Sequence, residues 1–178
     1  MSLTPTPGQT VGPFFGYALP FPHDDELVPP GTPGAVELRG RVLDGAGEPV
    51  PDAILELWQA DGEGEVVQEQ GSLRRAGPFT GFGRASTDAD GHYAFTTVAP
   101  GAPFFAVTVF ARGLLNRLFT RAYLPGARDA FLDGLDVDGR STLLTRLDET
   151  GPVPGYVFDV RLQGEGETVF LTYPRHRP

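Results

Sequence analysis

The stretch Ala102–Gly113, APFFAVTVFARG, decides the fold, because its side chains alternate between two faces as they do in a β-strand. The odd-numbered apolar residues would share one face: Phe105, Val107 and Val109. The even-numbered residues would share the other: Phe104, Ala106, Thr108 and Phe110. Both faces are mostly apolar, so the sequence predicts a buried strand. A single cation, Arg112, follows that strand and precedes Gly113.

The composition around this strand is that of a single domain rich in turns. A chain of 178 residues is long enough to bury a substantial core. The 24 glycines and 18 prolines follow no repeat period, so they indicate many tight turns between short strands rather than long helices.

The charge balance excludes several classes of partner. A net charge of −9 leaves no basic stripe to neutralise phosphates, which argues against nucleic acid and against an anionic membrane surface. An acidic chain also repels anionic ligands, so a site for one needs a local cation. There is no cysteine, and therefore no disulfide, thiolate metal site or cysteine nucleophile. With no signal-peptide pattern and no apolar run of membrane length, a cytoplasmic protein is expected.

The chain divides into an N-terminal arm, residues 1–34, and a domain over residues 35–178. The arm is rich in proline and glycine, which is typical of a disordered tail, but it also carries an aromatic-rich run at 14–21. Leaving such a run in water is costly, so we expect the arm to pack on the domain or on a partner chain.

Short strands separated by turns fill the domain. The predicted strands are Val36–Leu43, Ala53–Trp58, two in a hairpin over 81–101 with an Asp-Ala-Asp-Gly turn, Phe104–Arg112, Leu118–Leu124, Tyr156–Gln163 and Thr168–Tyr173. The stretch Ala127–Glu149 is the best candidate for one or two short helices in a long loop. Without a βαβ rhythm, this pattern predicts an all-β fold, a Greek-key β-sandwich.

A search for catalytic residues finds no self-sufficient active site. No pair of the three histidines, at 23, 92 and 176, has metal-ligand spacing. None of the five tyrosines, which could bind ferric iron as phenolates, lies near a histidine pair. The acidic segment Asp133–Asp138 lacks the twelve-residue loop and closing glutamate of a calcium site. No serine lies in a G-x-S-x-G motif.

Several segments together resemble the intradiol dioxygenases, specifically the α-subunit type of protocatechuate 3,4-dioxygenase. They include QTVGPFF (9–15), LWQAD (57–61), GFGRASTDADGHYAFTTVAPG (81–101), FARG (110–113) and RLQGEGETVF (161–170). The resemblance runs from Gln9 to Tyr173. It implies a β-sandwich that pairs with a homologous β subunit, the pairs assembling into a larger oligomer.

In this resemblance the redox centre belongs to the β subunit. That subunit binds one non-haem Fe(III) through two tyrosines and two histidines, and uses O2 to open 3,4-dihydroxybenzoate to 3-carboxy-cis,cis-muconate. The histidine positions match Phe104 and Ala106 here, and one tyrosine position matches Val66. The loop that would carry the other tyrosine is nearly absent, since VAPG (98–101) runs almost directly into APFF. The resemblance therefore implies neither metal ligands nor catalytic residues in this chain.

The resemblance also implies that this chain completes the substrate pocket of its partner. The residues that match the substrate entrance are Thr10, Gly12, Pro13, Phe14 and Arg112. A guanidinium can pair with the substrate carboxylate through two hydrogen bonds, and glycine lets the backbone approach a ligand closely. Two structural alternatives stay open: an ion pair between strands or subunits for Arg112, and a plain interface turn for Gly12–Pro13.

Two other classes of protein fit part of the sequence. The run over 40–53 followed by that over 87–101 also resembles carboxypeptidase-regulatory-like β-sandwich modules, which have binding or structural roles. Those modules end near the equivalent of Gly101, whereas this chain continues for 77 residues. The second class is a self-sufficient intradiol dioxygenase of the catechol type, and the missing two-tyrosine, two-histidine set argues against it.

Overall fold

In the computed structural model, which describes residues 19–67 and 79–173, nine strands form two sheets. The strands are β1 (Ala35–Leu43), β2 (Ile54–Trp58), β3 (Phe82–Ser86), β4 (His92–Val98), β5 (Phe104–Phe110), β6 (Leu118–Tyr123), β7 (Arg146–Asp148), β8 (Gly155–Val157) and β9 (Val160–Arg161). Two short helices, α1 (Ala130–Asp133) and α2 (Val137–Ser141), follow β6. The predicted all-β sandwich with one or two short helices is confirmed. No helix in the described ranges has the length and apolar character needed to cross a bilayer.

The two sheets exchange strands along the chain. Sheet 1 has the order β4-β1-β8-β7, with β9 also pairing with β1, and sheet 2 has the order β3-β2-β5-β6. Strand β1 runs parallel to β8 and β9, whereas the other pairs are antiparallel. The chain crosses between the sheets after β1, β3, β4 and β6. These crossings place the apolar faces of the two sheets against each other.

The predicted hairpin over 81–101 is wrong. Strand β3 pairs with β2 in sheet 2, and β4 pairs with β1 in sheet 1. The turn between them forms as predicted, because one carboxylate oxygen of Asp88 accepts hydrogen bonds from the N–H groups of Asp90 and His92. Alternating apolar residues show that a strand has an inward face, but not whether its neighbour in sequence lies beside it or across the core.

The predicted strand Tyr156–Gln163 is interrupted at Phe158 and Asp159. The Asp159 carboxylate accepts from the backbone N–H of Arg41 at 2.9 Å, so a side chain takes the place of a backbone carbonyl beside β1. The Phe158 carbonyl turns inward and accepts from the buried hydroxyl of Tyr93 at 2.6 Å. The strand therefore splits into β8 and β9.

The last predicted strand, Thr168–Tyr173, is also wrong. This segment lies beside β6, where the N–H of Leu171 donates to the Phe119 carbonyl at 2.7 Å. The hydroxyl of Thr120 donates to the Val169 carbonyl at 2.9 Å. These bonds hold the segment against the edge of sheet 2 without forming a regular ladder.

The core lies between the sheets, and β5 contributes its centre. The odd-numbered residues of β5 are almost fully buried in it: Phe105, Val107 and Val109. The even-numbered residues lie on the outer face of sheet 2, where Thr108 is buried but Phe104, Ala106 and Phe110 are only partly buried. The prediction that both faces of this strand are buried is therefore correct for the inward face, and on the outer face for Thr108 alone.

The described part of the arm, residues 19–34, contacts sheet 1. The N–H groups of Leu27 and Val28 both lie within hydrogen-bonding distance of the Thr96 carbonyl on β4, and both side chains are buried. Phe21 from the aromatic-rich run is 64% exposed. The division into arm and domain at residue 34 stays a prediction.

Candidate functional site

Arg112 lies in the connection between β5 and β6, and it is exposed. The next residue, Gly113, has a φ of +95°, a conformation that favours glycine. Leu115 in the same loop is 74% exposed, and the Arg117 guanidinium stacks over the Phe119 ring at 5.0 Å. The loop thus presents two arginines and a leucine at one end of the sandwich.

The other predicted binding residues are Thr10, Gly12, Pro13 and Phe14, and all four lie outside the described residues. Their grouping with Arg112 stays a prediction.

The positions that the resemblance matches to metal ligands carry hydrocarbon side chains. Phe104 and Ala106 lie on the outer face of sheet 2, and Val66 lies in the loop after β2 with 64% of its surface exposed. None of these three side chains has a lone pair to donate. Ala106 lies within β5, whereas Arg112 follows the end of that strand at Phe110.

A charged cluster occupies this outer face. Arg121 on β6 is the cross-strand neighbour of Ala106, and one of its terminal nitrogens, Nη1, donates to the Tyr123 hydroxyl at 3.1 Å and to Asp129 Oδ2 at 3.2 Å. The Tyr123 hydroxyl itself donates to Asp129 Oδ2 at 2.8 Å. The guanidinium carbon of Arg121 lies 4.3 Å from the centre of the Phe104 ring. We call Arg121, Tyr123 and Asp129 the Arg121 cluster.

The Arg121 cluster also fixes the start of α1. Asp129 Oδ1 accepts from the N–H of Leu132 at 2.7 Å and so caps the helix. Burial alone would raise the pKa of Asp129. The Leu132 N–H, the Tyr123 hydroxyl and the Arg121 charge outweigh burial and hold this pKa below its usual value. For Tyr123, burial is the largest influence and raises the pKa.

The residues that the structure describes do not fit an iron centre. Among residues 19–67 and 79–173, no group of three or more histidines, cysteines or acids is placed to hold a metal ion. His23 is hydrogen-bonded to Glu26 at 3.0 Å in the arm, whereas His92 begins β4 and lies 3.5 Å from Asp88 in the preceding turn. His176 lies beyond the described residues.

A groove of about 720 Å³ lies on the outer face of sheet 1 and reaches the edge strand β3 of sheet 2. Its lining includes four arginines together with carboxylates of the arm and of the turn after β3. The arginines are Arg39, Arg41, Arg84 and Arg146, and Arg84 is paired with Glu56 at 2.6 Å. Arg39 is paired with Glu37 and with Asp148, the latter at 2.8 Å. The positive charge of the groove is thus largely balanced by carboxylates, and the groove has no clear preference for an anion.

Comparison with known proteins shows which family the chain belongs to. The family model described as Dioxygenase matches residues 11–108. The chain is 39% identical to the protocatechuate 3,4-dioxygenase alpha chain of Burkholderia cepacia, over 96% of this chain and 98% of that one. It is 37% identical to the alpha chain of Pseudomonas putida, with the same coverage. It is 34% identical to the beta chain of Burkholderia cepacia, over 75% of this chain and 66% of that one.

Solved structures agree with these relatives. The dioxygenase domain of a carbohydrate-binding fusion protein from Streptomyces sp. SirexAA-E superposes with a TM-score of 0.61 at 30% identity, covering 90% of this chain and 99% of that one. Catechol 1,2-dioxygenase from Pseudomonas arvilla C-1 superposes with a TM-score of 0.56 at 22% identity, over 78% of this chain and 55% of that one, and shares the fold. The chain belongs to the dioxygenase family that includes the alpha and beta chains of protocatechuate 3,4-dioxygenase.

Proposed function

We propose that this chain is the alpha subunit of a protocatechuate 3,4-dioxygenase. In this role it binds no iron itself and completes the substrate pocket of an Fe(III)-bearing beta subunit. The complex cleaves 3,4-dihydroxybenzoate with O2, between the two hydroxyl-bearing carbons, to give 3-carboxy-cis,cis-muconate. The observation that carries the proposal is a pair of facts: likeness to alpha chains over 96% of the chain, and hydrocarbon side chains at Phe104 and Ala106.

The pairing with a beta subunit is supported by the kind of relatives that the chain has. The curated relatives include both alpha and beta chains of one enzyme, and the chain is clearly similar to both. A beta subunit with the same fold would supply the donors that this chain lacks. Location in the cytoplasm, and the absence of nucleic-acid and membrane partners, are parts of the same proposal.

The proposed role of Arg112 is to bind the carboxylate of the substrate at the partner's pocket. The chain is acidic overall, so an anionic substrate needs a local cation, and Arg112 presents one on an exposed loop. Thr10, Gly12, Pro13 and Phe14 would line the same entrance, with Gly12 allowing close approach of the backbone.

Replacing Arg112 by alanine tests this role. In the complex, we expect Arg112→Ala to raise the KM for protocatechuate about tenfold or more, because a charge-assisted hydrogen bond contributes about 1.5–3 kcal/mol. The KM for catechol, which has no carboxylate, should change little. Arg117→Ala, in the same loop, is the matched control and should leave both values near wild type. Steady-state oxygen uptake gives the four KM values, one for each variant with each substrate. An equal rise in KM for both substrates in Arg112→Ala would contradict carboxylate pairing.

Reconstitution tests the function itself. We expect the chain alone to consume no O2 with protocatechuate, and the chain co-expressed with a family beta subunit to co-purify with it and to show activity. Co-purification without activity would rule out protocatechuate as the substrate. Failure to co-purify would contradict the proposed subunit role.

The two alternatives from the sequence are less well supported. A carboxypeptidase-regulatory-like module would account for the chain only to about Gly101, whereas the likeness to alpha chains covers 96% of it. A self-sufficient dioxygenase would need metal donors of its own, and the described residues do not assemble them.

A further inference from the structure

We propose that Arg121 is a permanent cation built into the outer face of sheet 2, and that it excludes metal ions from the oxygen donors beside it. This inference is argued from the contacts of Arg121 and from the positions that the resemblance matches to metal ligands, and it does not depend on the proposed function.

The first observation is the position of two oxygen atoms beside Arg121. The Tyr123 hydroxyl and Asp129 Oδ2 are 2.8 Å apart, and both are hard oxygen donors of the kind that bind hard metal ions. Arg121 Nη1 lies within 3.2 Å of both atoms. The positive charge of the guanidinium therefore lies where a metal ion would have to lie in order to contact both oxygens.

The second observation is that aromatic rings surround the Arg121 guanidinium. It lies over the ring of Phe104, and the ring of Phe131 is 5.3 Å from its central carbon. Aromatic faces stabilise a cation there without donating a lone pair. The Arg121 side chain is only 28% exposed, so its charge is partly shielded from water and interacts more strongly with Asp129.

The third observation concerns the residues of β5 that lie opposite Arg121 and Tyr123. Ala106 is its direct cross-strand neighbour, and Phe104 is the neighbour of Tyr123. The methyl group of Ala106 has no lone pair that could bind a metal ion beside Arg121. The ring of Phe104 packs against the guanidinium. The positions that the resemblance matches to metal ligands are thus occupied by side chains that accommodate a fixed cation. Since guanidinium does not lose its proton in proteins, this cation is always present.

The first test separates charge from packing in the full chain. Arg121→Met removes the charge but keeps a long side chain, and we expect it to lower the thermal unfolding midpoint by about 5 °C. Arg121→Lys keeps a cation and should recover at least half of that loss. Arg128→Met is the matched control, because the Arg128–Asp133 pair has the same 3.2 Å separation while Arg128 is 77% exposed. We expect it to shift the midpoint by less than about 1 °C. Equal losses for the methionine and lysine variants at position 121 would overturn the role of the charge.

The second test asks directly whether Arg121 keeps metal out. Two variants receive donors on β5: Phe104→His/Ala106→His with Arg121 retained, and the same pair combined with Arg121→Ala. We expect only the second to take up Fe(III), with a visible absorption band from the Tyr123 phenolate. If the two variants take up iron equally, or if neither does, exclusion by Arg121 is wrong. Should the triple variant fail to fold, the midpoints of the single variants still decide the role of the charge. Neither test involves oxygen uptake or a partner subunit, so its failure would leave the proposed function standing.

Discussion

Gly40→Ala is expected to prevent stable folding, with a loss of about 4 kcal/mol or more in the free energy of unfolding. Gly40 lies in the middle of β1, where an added Cβ would come within 1.9 Å of the Phe158 carbonyl oxygen and 2.5 Å of its carbon. Relief would require backbone movement, because the same oxygen is held by the buried hydroxyl of Tyr93. The glycine is required by this close approach of two chain segments rather than by a special φ angle.

Gly62→Ala provides the control for that substitution. A Cβ at Gly62 would have the Ala99 carbonyl oxygen at 3.8 Å as its nearest contact, which is ordinary van der Waals distance. We expect a change within about 0.5 kcal/mol there. Urea denaturation followed by circular dichroism measures both variants. A wild-type midpoint for Gly40→Ala would show that the close approach to Phe158 is wrong.

Phe105→Ala should cause the second-largest loss, about 3–5 kcal/mol, through the cavity it leaves. Phe105, the second residue of β5, is completely buried, and its ring packs 5.7 Å from that of Tyr156 in the opposite sheet. It therefore links the two layers of the sandwich.

The matched control for Phe105 is Phe21→Ala, which removes the same atoms from a side chain that is 64% exposed. We expect this change to cost less than about 1 kcal/mol. Chemical denaturation of both variants under identical conditions gives the comparison. Equal losses would mean that the core is not organised around β5 as described.

The sequence was sufficient for the architecture but not for the pairing of strands. Alternation identified β5 and separated its two faces, because side-chain alternation is a local pattern. It did not show which face is inward, since both faces are mostly apolar. It could not place β3 and β4 in different sheets, since the choice depends on which apolar faces meet across the core. The break at Phe158 depends on the distant hydroxyl of Tyr93, and no local pattern signals such a contact.

The candidate site was predictable to a lesser extent. Arg112 stood out as a cation at the end of an apolar strand, and the structure places it on an exposed loop. The Arg121 cluster was missed. Arg121 and Tyr123 share a face of β6 by simple alternation, but Asp129 reaches them only after the chain turns toward α1. A carboxylate just before a short helix is a capping signal, and it was the one hint that the sequence contained.

The central claim is that this chain takes part in iron-dependent catalysis without holding iron through its own side chains. Iron analysis of the 178-residue chain purified alone and of its complex with a beta subunit, both from iron-supplemented cells, tests this most directly. The account predicts no stoichiometric iron in the chain alone and one Fe(III) for each alpha–beta pair. About one ferric ion per chain, retained through purification without any other subunit, would contradict it.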